Sequence, residues 1–173
     1  LTSIGGTSAF DNNTTLNASL VSENGKAGLY LFGQNRHRSG FDQDGDGFTE
    51  LPKLKNQTVG FRSYLKTSTY SKLTFEYHHM NEYRRGGNLL DRPPHEADIA
   101  EQLEHSIDGG GLKFDLFSKD YKHKWSVFTS AQNTDRDSYY GTNQDPNAYG
   151  KTTDLTVMAG TQYAYSFDKF LFM

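Results

Sequence analysis

The run Asp42-Gln43-Asp44-Gly45-Asp46-Gly47-Phe48-Thr49-Glu50 carries the densest chemistry in the chain. Three aspartates at i, i+2 and i+4, followed by glycine, match the first half of an EF-hand calcium loop. A hard cation such as Ca²⁺ takes about six to eight oxygens, and alternate carboxylates on a tightly turned loop converge on one point. Gly47 permits the sharp turn, and the Phe48 carbonyl supplies a further oxygen. The pattern then departs from an EF-hand. Lys53 stands at the twelfth position, where a bidentate Glu belongs, and no flanking helices are expected. Either Glu50 donates in its place or other loops complete the sphere. The expected ligands of a structural Ca²⁺ are therefore Asp42, Asp44, Asp46, Phe48 and Glu50. The competing reading is a solvated bend, because Asp and Gly favour turns for conformational reasons alone.

Other constellations are looser. Glu82-Tyr83-Arg84-Arg85-Gly86-Gly87 sits at a strand-to-loop junction. Adjacent guanidiniums suit an anionic ligand, or they pair with nearby Asp91, Glu96, Asp98, Glu101 and Glu104. Tyr139-Tyr140-Gly141 offers a stacking surface, or an anchor at an interface. Tyr83, Arg84, Arg85, Tyr139 and Tyr140 are thus the expected ligand contacts. His95, Glu96, Asp98, Glu101 and His105 do not complete a metalloprotease pattern, because Ile99 occupies the second histidine's place. His78 and His79 are neighbours on a strand and must point to opposite faces. No Gly-x-Ser-x-Gly and no Walker loop occurs, and Gly109-Gly110-Gly111 leads into a strand rather than a helix. The expectation is a binding protein, without catalytic residues, rather than an enzyme.

These groups must be positioned by strands. Leu16, Ala18 and Leu20 alternate with polar residues, as do Val59, Phe61 and Leu65; Leu73, Phe75 and Tyr77; Leu112, Phe114 and Leu116; Trp125, Val127 and Ala131; and Leu155, Val157, Ala159, Tyr163 and Tyr165. Period 2 predicts β-strands. Asn24-Gly25 is expected to form a two-residue hairpin turn, since both residues tolerate positive φ. Short turns near Asn24, Thr69, Asp120 and Asp168 alternate with long polar loops over 34–56, 85–104 and 136–152. In an antiparallel meander, alternate connections lie at opposite ends, so one end is trimmed and the other carries the loops. Aromatics gather near both ends: Tyr70, Tyr121, Phe167 and Phe170 by the short turns, and Tyr83, Tyr139, Tyr140 and Tyr149 by the loops. One short helix is expected in a loop over 95–104, after Pro93-Pro94, where Ile99 and Leu103 lie four apart.

Composition narrows the class. Formal net charge is −3, which gives no support to nucleic-acid binding. No cysteine is present, so disulfides and thiolate sites are excluded. Mean hydropathy is −0.78, and no apolar run reaches the ~20 residues of a spanning helix. Aromatics nevertheless reach 14%. Low mean hydropathy with many aromatics fits β-structure whose apolar face alternates with a polar one. A transmembrane β-barrel combines that alternation with long strands and one-sided loops, and it places Arg62, Glu76 and Lys113 in a wet interior. The alternative is a soluble Ca²⁺-dependent β-sheet module that binds surface glycans, with Leu73, Phe75, Leu112, Phe114 and Trp125 buried between two sheets.

Gly40-Phe41 through Leu51-Pro52, Asn81 through Asn88 with Pro93 through Gln102, and Thr134 through Gly141 resemble loops of TonB-dependent outer-membrane receptors of the Bacteroidetes type. The resemblance implies that residues 1–173 are part of an all-β, antiparallel up-and-down transmembrane barrel, with short periplasmic turns and long extracellular loops. Such receptors import cobalamin, iron chelates such as siderophores, or haem across the outer membrane of Gram-negative bacteria. The implied partners are the TonB complex, through a plug domain absent from this chain, outer-membrane lipid, a small-molecule ligand and a surface lipoprotein. The resemblance also implies a Ca²⁺ role for Asp42, Asp44 and Asp46, with a lean toward cobalamin. Eight strands and a ninth cut short, ending on Phe170-Leu171-Phe172-Met173, are expected against the family's twenty-two.

Overall fold

The computed structural model describes residues 3–4, 10–167 and 171–172. One antiparallel sheet runs in chain order: β1 (Ser3–Ile4), β2 (Asp11–Val21), β3 (Ala27–Arg38), β4 (Lys53–Ser68), β5 (Ser71–Gly87), β6 (Ile99–Phe117), β7 (His123–Thr142), β8 (Tyr149–Ser166) and β9 (Leu171–Phe172). It is an up-and-down meander of seven long strands, with a two-residue strand at either edge, in place of eight complete strands. Tight turns after β2, β4 and β6 form one end, and the longer connections after β3, β5 and β7 form the other. The expected turn at Asp168 and the aromatic Phe170 lie outside the described residues.

The strands extend further into the loops than alternation indicates. β5 runs to Gly87, and β7 runs to Thr142. The connections therefore shrink to residues 39–52, 88–98 and 143–148. The reason is that alternation reports one apolar face. Towards the loop end both faces are polar, so the ladder continues after its sequence signature has ended. The expected helix over 95–104 is replaced by a single 3-10 turn, Pro94–Glu96, and β6 begins at Ile99. A spacing of four puts Ile99 and Leu103 on one face of a strand as well as of a helix.

Cross-strand pairing sorts every side chain onto one of two faces. The row Leu29–Ser63–Phe75–Leu112–Thr129–Ala159 runs across six strands, and Ala27–Leu65–Leu73–Phe114–Val127–Thr161 lies next to it on the same face. The intervening row, Tyr30–Arg62–Glu76–Gly111–Ser130–Met158, belongs to the other face. The apolar face is bare: Leu16 is 73% exposed, Leu155 70% and Phe75 43%. No second sheet covers Leu73, Phe75, Leu112, Phe114 or Trp125 among the described residues. The buried hydrophobic residues among those described are Leu54, Ala97, Ala100 and Tyr139.

The polar face carries Arg62, which pairs with Glu76 at 2.6 Å, and Lys113 and Lys124, which share Asp115. Towards the loop end its strand charges balance, with Arg36, Arg38, Arg84 and Arg136 against Asp11, Glu82, Glu101 and Asp154. Arg36 holds Asp11 at 2.6 Å. Aromatic rings on this face lie over glycines. A Cβ on Gly60 would meet the Phe32 ring at 2.4 Å, and one on Gly160 would meet Phe128 at 2.5 Å. Both rings thereby fill the gap that a missing side chain leaves in the sheet.

The rows also show how the strands lean. The row through the first turn meets β4 between Thr67 and Ser68, just short of the second turn. The row through the second turn meets β6 near Phe117, about three residues before the third. A descent of about one residue per strand, ~3.3 Å against a ~4.8 Å strand spacing, inclines the strands by about 35–40° to the normal of the line of turns.

Candidate metal centre

Loop 39–52 is built as a clasp. β3 and β4 diverge after Arg38 and Lys53, and an isolated bridge between Phe41 and Leu51 closes the neck. Phe41 N–H donates to Leu51 O at 2.9 Å, and Leu51 N–H returns the bond at 3.2 Å. Arg38 Nε donates to Pro52 O at 3.0 Å and fixes the base. Within the neck the acidic run folds on its own carboxylates. Asp42 accepts from Gly45 N–H through Oδ1 at 2.7 Å and from Gly47 N–H through Oδ2 at 2.8 Å. Asp44 accepts from Asp46 N–H, and Asp46 from Phe48 N–H. Glu50 reaches back across the loop to Gln43 N–H at 2.6 Å. Gly45 and Gly47 have φ of +79° and +91°, which the turn demands and which other residues adopt only under strain.

Asp42, Asp44, Asp46 and Glu50 each offer a carboxylate oxygen, and these atoms all lie within 4.8 Å of one another. That span is about twice a Ca²⁺–oxygen bond, so the oxygens fit on one coordination sphere. These four residues could hold a metal ion. Glu50, at the ninth position, brings a fourth carboxylate to the group, where an EF-hand has its acidic residue at the twelfth. Lys53, at that twelfth position, has a cationic ammonium with no oxygen to offer, and it is the first residue of β4, paired with Arg85 in the ladder.

Two residues that the motif does not indicate position the loop. Thr49 N–H donates to Gly87 O at 3.2 Å, and Gly87 N–H donates to Thr49 Oγ1 at 3.1 Å. The end of β5 thus pins the acidic loop against the sheet. Gly87 sits at φ +97°, and a Cβ there would lie 2.0 Å from Ile99 O. The doublet Gly86-Gly87 was the available signal, but only the fold shows what it meets. Between loop and sheet lies a cleft of about 840 Å³, with Asp46, Phe48 and Glu50 on one wall and Glu101 and Tyr140 on the other; no Lys or Arg lines it.

The five expected ligand contacts do not form one site. Tyr140 is 60% exposed and lines the cleft. Arg84 lies on the polar face, 3.6 Å from Glu82, with its Nε buried and without a partner. Tyr83, Arg85 and Tyr139 share the opposite face, in the row that flanks Glu104 and Gln102. Arg85 and Tyr139 are fully buried. Arg85 donates to the carbonyls of Gly86 and Asn88. Burial pushes the Arg85 guanidinium pKa down and the Tyr139 hydroxyl pKa up, since each charged form loses water. Tyr139 Oη donates to Asp145 O at 2.9 Å, and its ring packs edge-on against Tyr149, whose hydroxyl meets His95 Nδ1 at 2.7 Å. Alternation cannot distinguish this loop-packing core, with Ala97, Ala100 and Ala148, from a stacking site.

The remaining groups disperse. Asp98 accepts from Asn88 Nδ2, and His105 Nε2 accepts from Arg136. His78 and His79 take opposite faces, and His79 meets Asp108 at 2.8 Å. The four-carboxylate group is the only candidate metal cluster among the described residues. Set beside protein-family models, curated proteins and solved structures, the chain finds no match in any of the three.

Proposed function

We propose that this sheet is a section of an outer-membrane β-barrel wall whose loop end faces the exterior and captures ligand for TonB-dependent import. The observation that carries this reading is the continuous bare apolar face. A soluble monomer rarely exposes so large an apolar patch, and four buried hydrophobic residues make too small a core to hold a sheet of this size in water. Lipid on that face supplies the missing burial. On β8 the apolar row runs from Leu155 to Tyr165, which matches the about 9–11 residues of a tilted crossing strand. The 35–40° lean agrees with the tilt of barrel strands.

The edges of the band have interfacial residues. Trp125 and Tyr163 rings lie 4.6 Å apart near the turns, with Tyr165 and Phe167 at 4.4 Å. At the opposite edge Tyr77 Oη and His79 Nδ1 both meet Asp108 Oδ1, at 2.5 and 2.8 Å. This pair takes the place expected of Tyr139 and Tyr140, of which one is buried and the other lies on the polar face. β2 and β8 leave most of their outer edges unpaired among the described residues, and a lipid setting requires further strands there. The soluble alternative needs a second sheet over the apolar face. The importer reading rests on the likeness of the loop sequences to TonB-dependent receptors.

In this reading the acidic loop holds Ca²⁺. Four carboxylates exceed what Mg²⁺ ordinarily recruits, and an oxygen-only donor set suits a hard cation. The bound ion stiffens the loop beside the cleft, and Tyr140 offers a ring on the facing wall. Ca²⁺ titration followed by limited proteolysis tests this. Saturating Ca²⁺ is expected to protect residues 42–50 from cleavage. Asp44→Asn, which keeps size and removes charge, should weaken Ca²⁺ binding about tenfold or more. Equal cleavage with and without Ca²⁺, together with unchanged binding by Asp44→Asn, would remove the metal from the account.

A further inference from the structure

We propose that the polar face, at the level of the apolar band, binds an anionic group, a carboxylate or a phosphate, and that the ligand passing this wall carries one. The inference rests on the reading that this face lines a wet route, and it adds the ligand's charge class.

The charge distribution is the starting point. At this level the face carries Arg62, Lys72, Lys113 and Lys124 against Glu76 and Asp115, four cations to two carboxylates. Further towards the loops the same face is balanced, and the chain as a whole is negative at −3. The excess is therefore local. Apolar walls of low dielectric focus such a field into the aqueous side.

The pairing shows which cations are left over. Arg62 is neutralised, because its Nε and terminal nitrogen both bond Glu76 Oε2, at 2.9 and 2.6 Å. Asp115 must serve the others. Its Oδ1 accepts from Ser126 Oγ at 2.6 Å and has Lys124 Nζ at 3.3 Å and Lys113 Nζ at 3.5 Å. Lys72 lies directly across from Asp115 in the ladder and has no carboxylate of its own among the described residues. Two lysines thus share one carboxylate, and Lys72, at the facing ladder position, adds a third positive charge.

Geometry gathers those charges. Asp115 is 2% exposed although no layer packs over this face among the described residues, so the neighbouring side chains themselves shield it. Two ammonium groups touching one oxygen lie within about 7 Å of each other and repel. A hollow of about 490 Å³ opens beside the cluster, lined by Lys72, Lys113 and Asp115 and by the Arg62–Glu76 pair, with Tyr64 and Phe128 as apolar flanks; Lys124 lies outside it. An anion seated there relieves the repulsion. Lysines, being point charges on flexible stems, accept carboxylate and phosphate without a fixed orientation.

The test is titration of the full chain, reconstituted in lipid, with inorganic phosphate. Lys72→Gln and Lys113→Gln are each expected to weaken binding about tenfold. Lys72→Arg should retain it, and Lys151→Gln, on the opposite face beside Asp137, should leave it unchanged. Retained Ca²⁺ binding at the acidic loop verifies that each variant is folded. No phosphate binding, as when an acidic polypeptide segment already covers the lysines, overturns the proposal, and so do equal losses in Lys72→Gln and Lys151→Gln. Insertion into lipid is read separately. Insertion without phosphate binding defeats this inference alone, whereas phosphate binding without insertion defeats only the membrane reading.

Discussion

Arginine in place of Leu112 is expected to destabilise the protein in a bilayer by about 2–4 kcal/mol. Leu112 is the midpoint of the apolar face. Phe75 and Thr129 stand directly across from it, and it is 44% exposed. On a water-facing surface such a substitution is close to neutral, because the guanidinium keeps its hydration and little packing is lost. In hydrocarbon the same charge is stripped of water and has no partner. Thr156→Arg is the control, since Thr156 is exposed on the polar face opposite Gln132. It should change stability by less than about 0.5 kcal/mol. Denaturant refolding into lipid vesicles measures both. The contrast between faces, rather than either value alone, identifies the solvent of each.

The second large effect is expected at a residue that touches no metal. Gly87→Ala should cost about 1–3 kcal/mol locally from its left-handed backbone alone, and the clash with Ile99 O adds to that. To relieve it, the end of β5 must move away from β6. That shift breaks the reciprocal bonds with Thr49 and frees the acidic loop. Ca²⁺ affinity should fall about tenfold, with the carboxylates intact, because the ion must then order the loop as well as bind it. Thr49→Ala removes only the hydroxyl contacts and should lose less. A calcium titration of the two variants in parallel measures this order. Unchanged affinity in Gly87→Ala would mean that the clasp is not positioned from β5.

Much of the architecture was legible in the residues. Period-2 rows such as Leu112, Phe114 and Leu116 placed the strands and faces, and Asn24-Gly25 marked a turn, although it spans residues 22–26 rather than two and only Gly25 takes positive φ. The carboxylate spacing indicated that Asp42, Asp44 and Asp46 converge, and the structure brings Glu50 to them, in a cluster that could hold a metal ion. What the sequence concealed followed from two physical limits. Alternation disappears where both faces are wet, so the loop-end parts of β6 (99–104) and β7 (136–142) read as loops. Residue type also says nothing about burial. Tyr139 and Tyr140 look equivalent in the sequence, yet one is enclosed by loop packing and the other faces the cleft. The lysines around Asp115 come from β5, β6 and β7, and only the register brings them together.

The most direct test of the membrane reading uses Trp125, the sole tryptophan, which projects from the apolar face near the turns with 53% of its surface exposed. The measurement is its fluorescence in vesicles containing brominated lipids. Contact with lipid predicts strong quenching, greater for bromines near the headgroup than for bromines deep in the acyl chains. Emission unaffected by bromine at any depth, from protein that stays monodisperse without detergent, would contradict it.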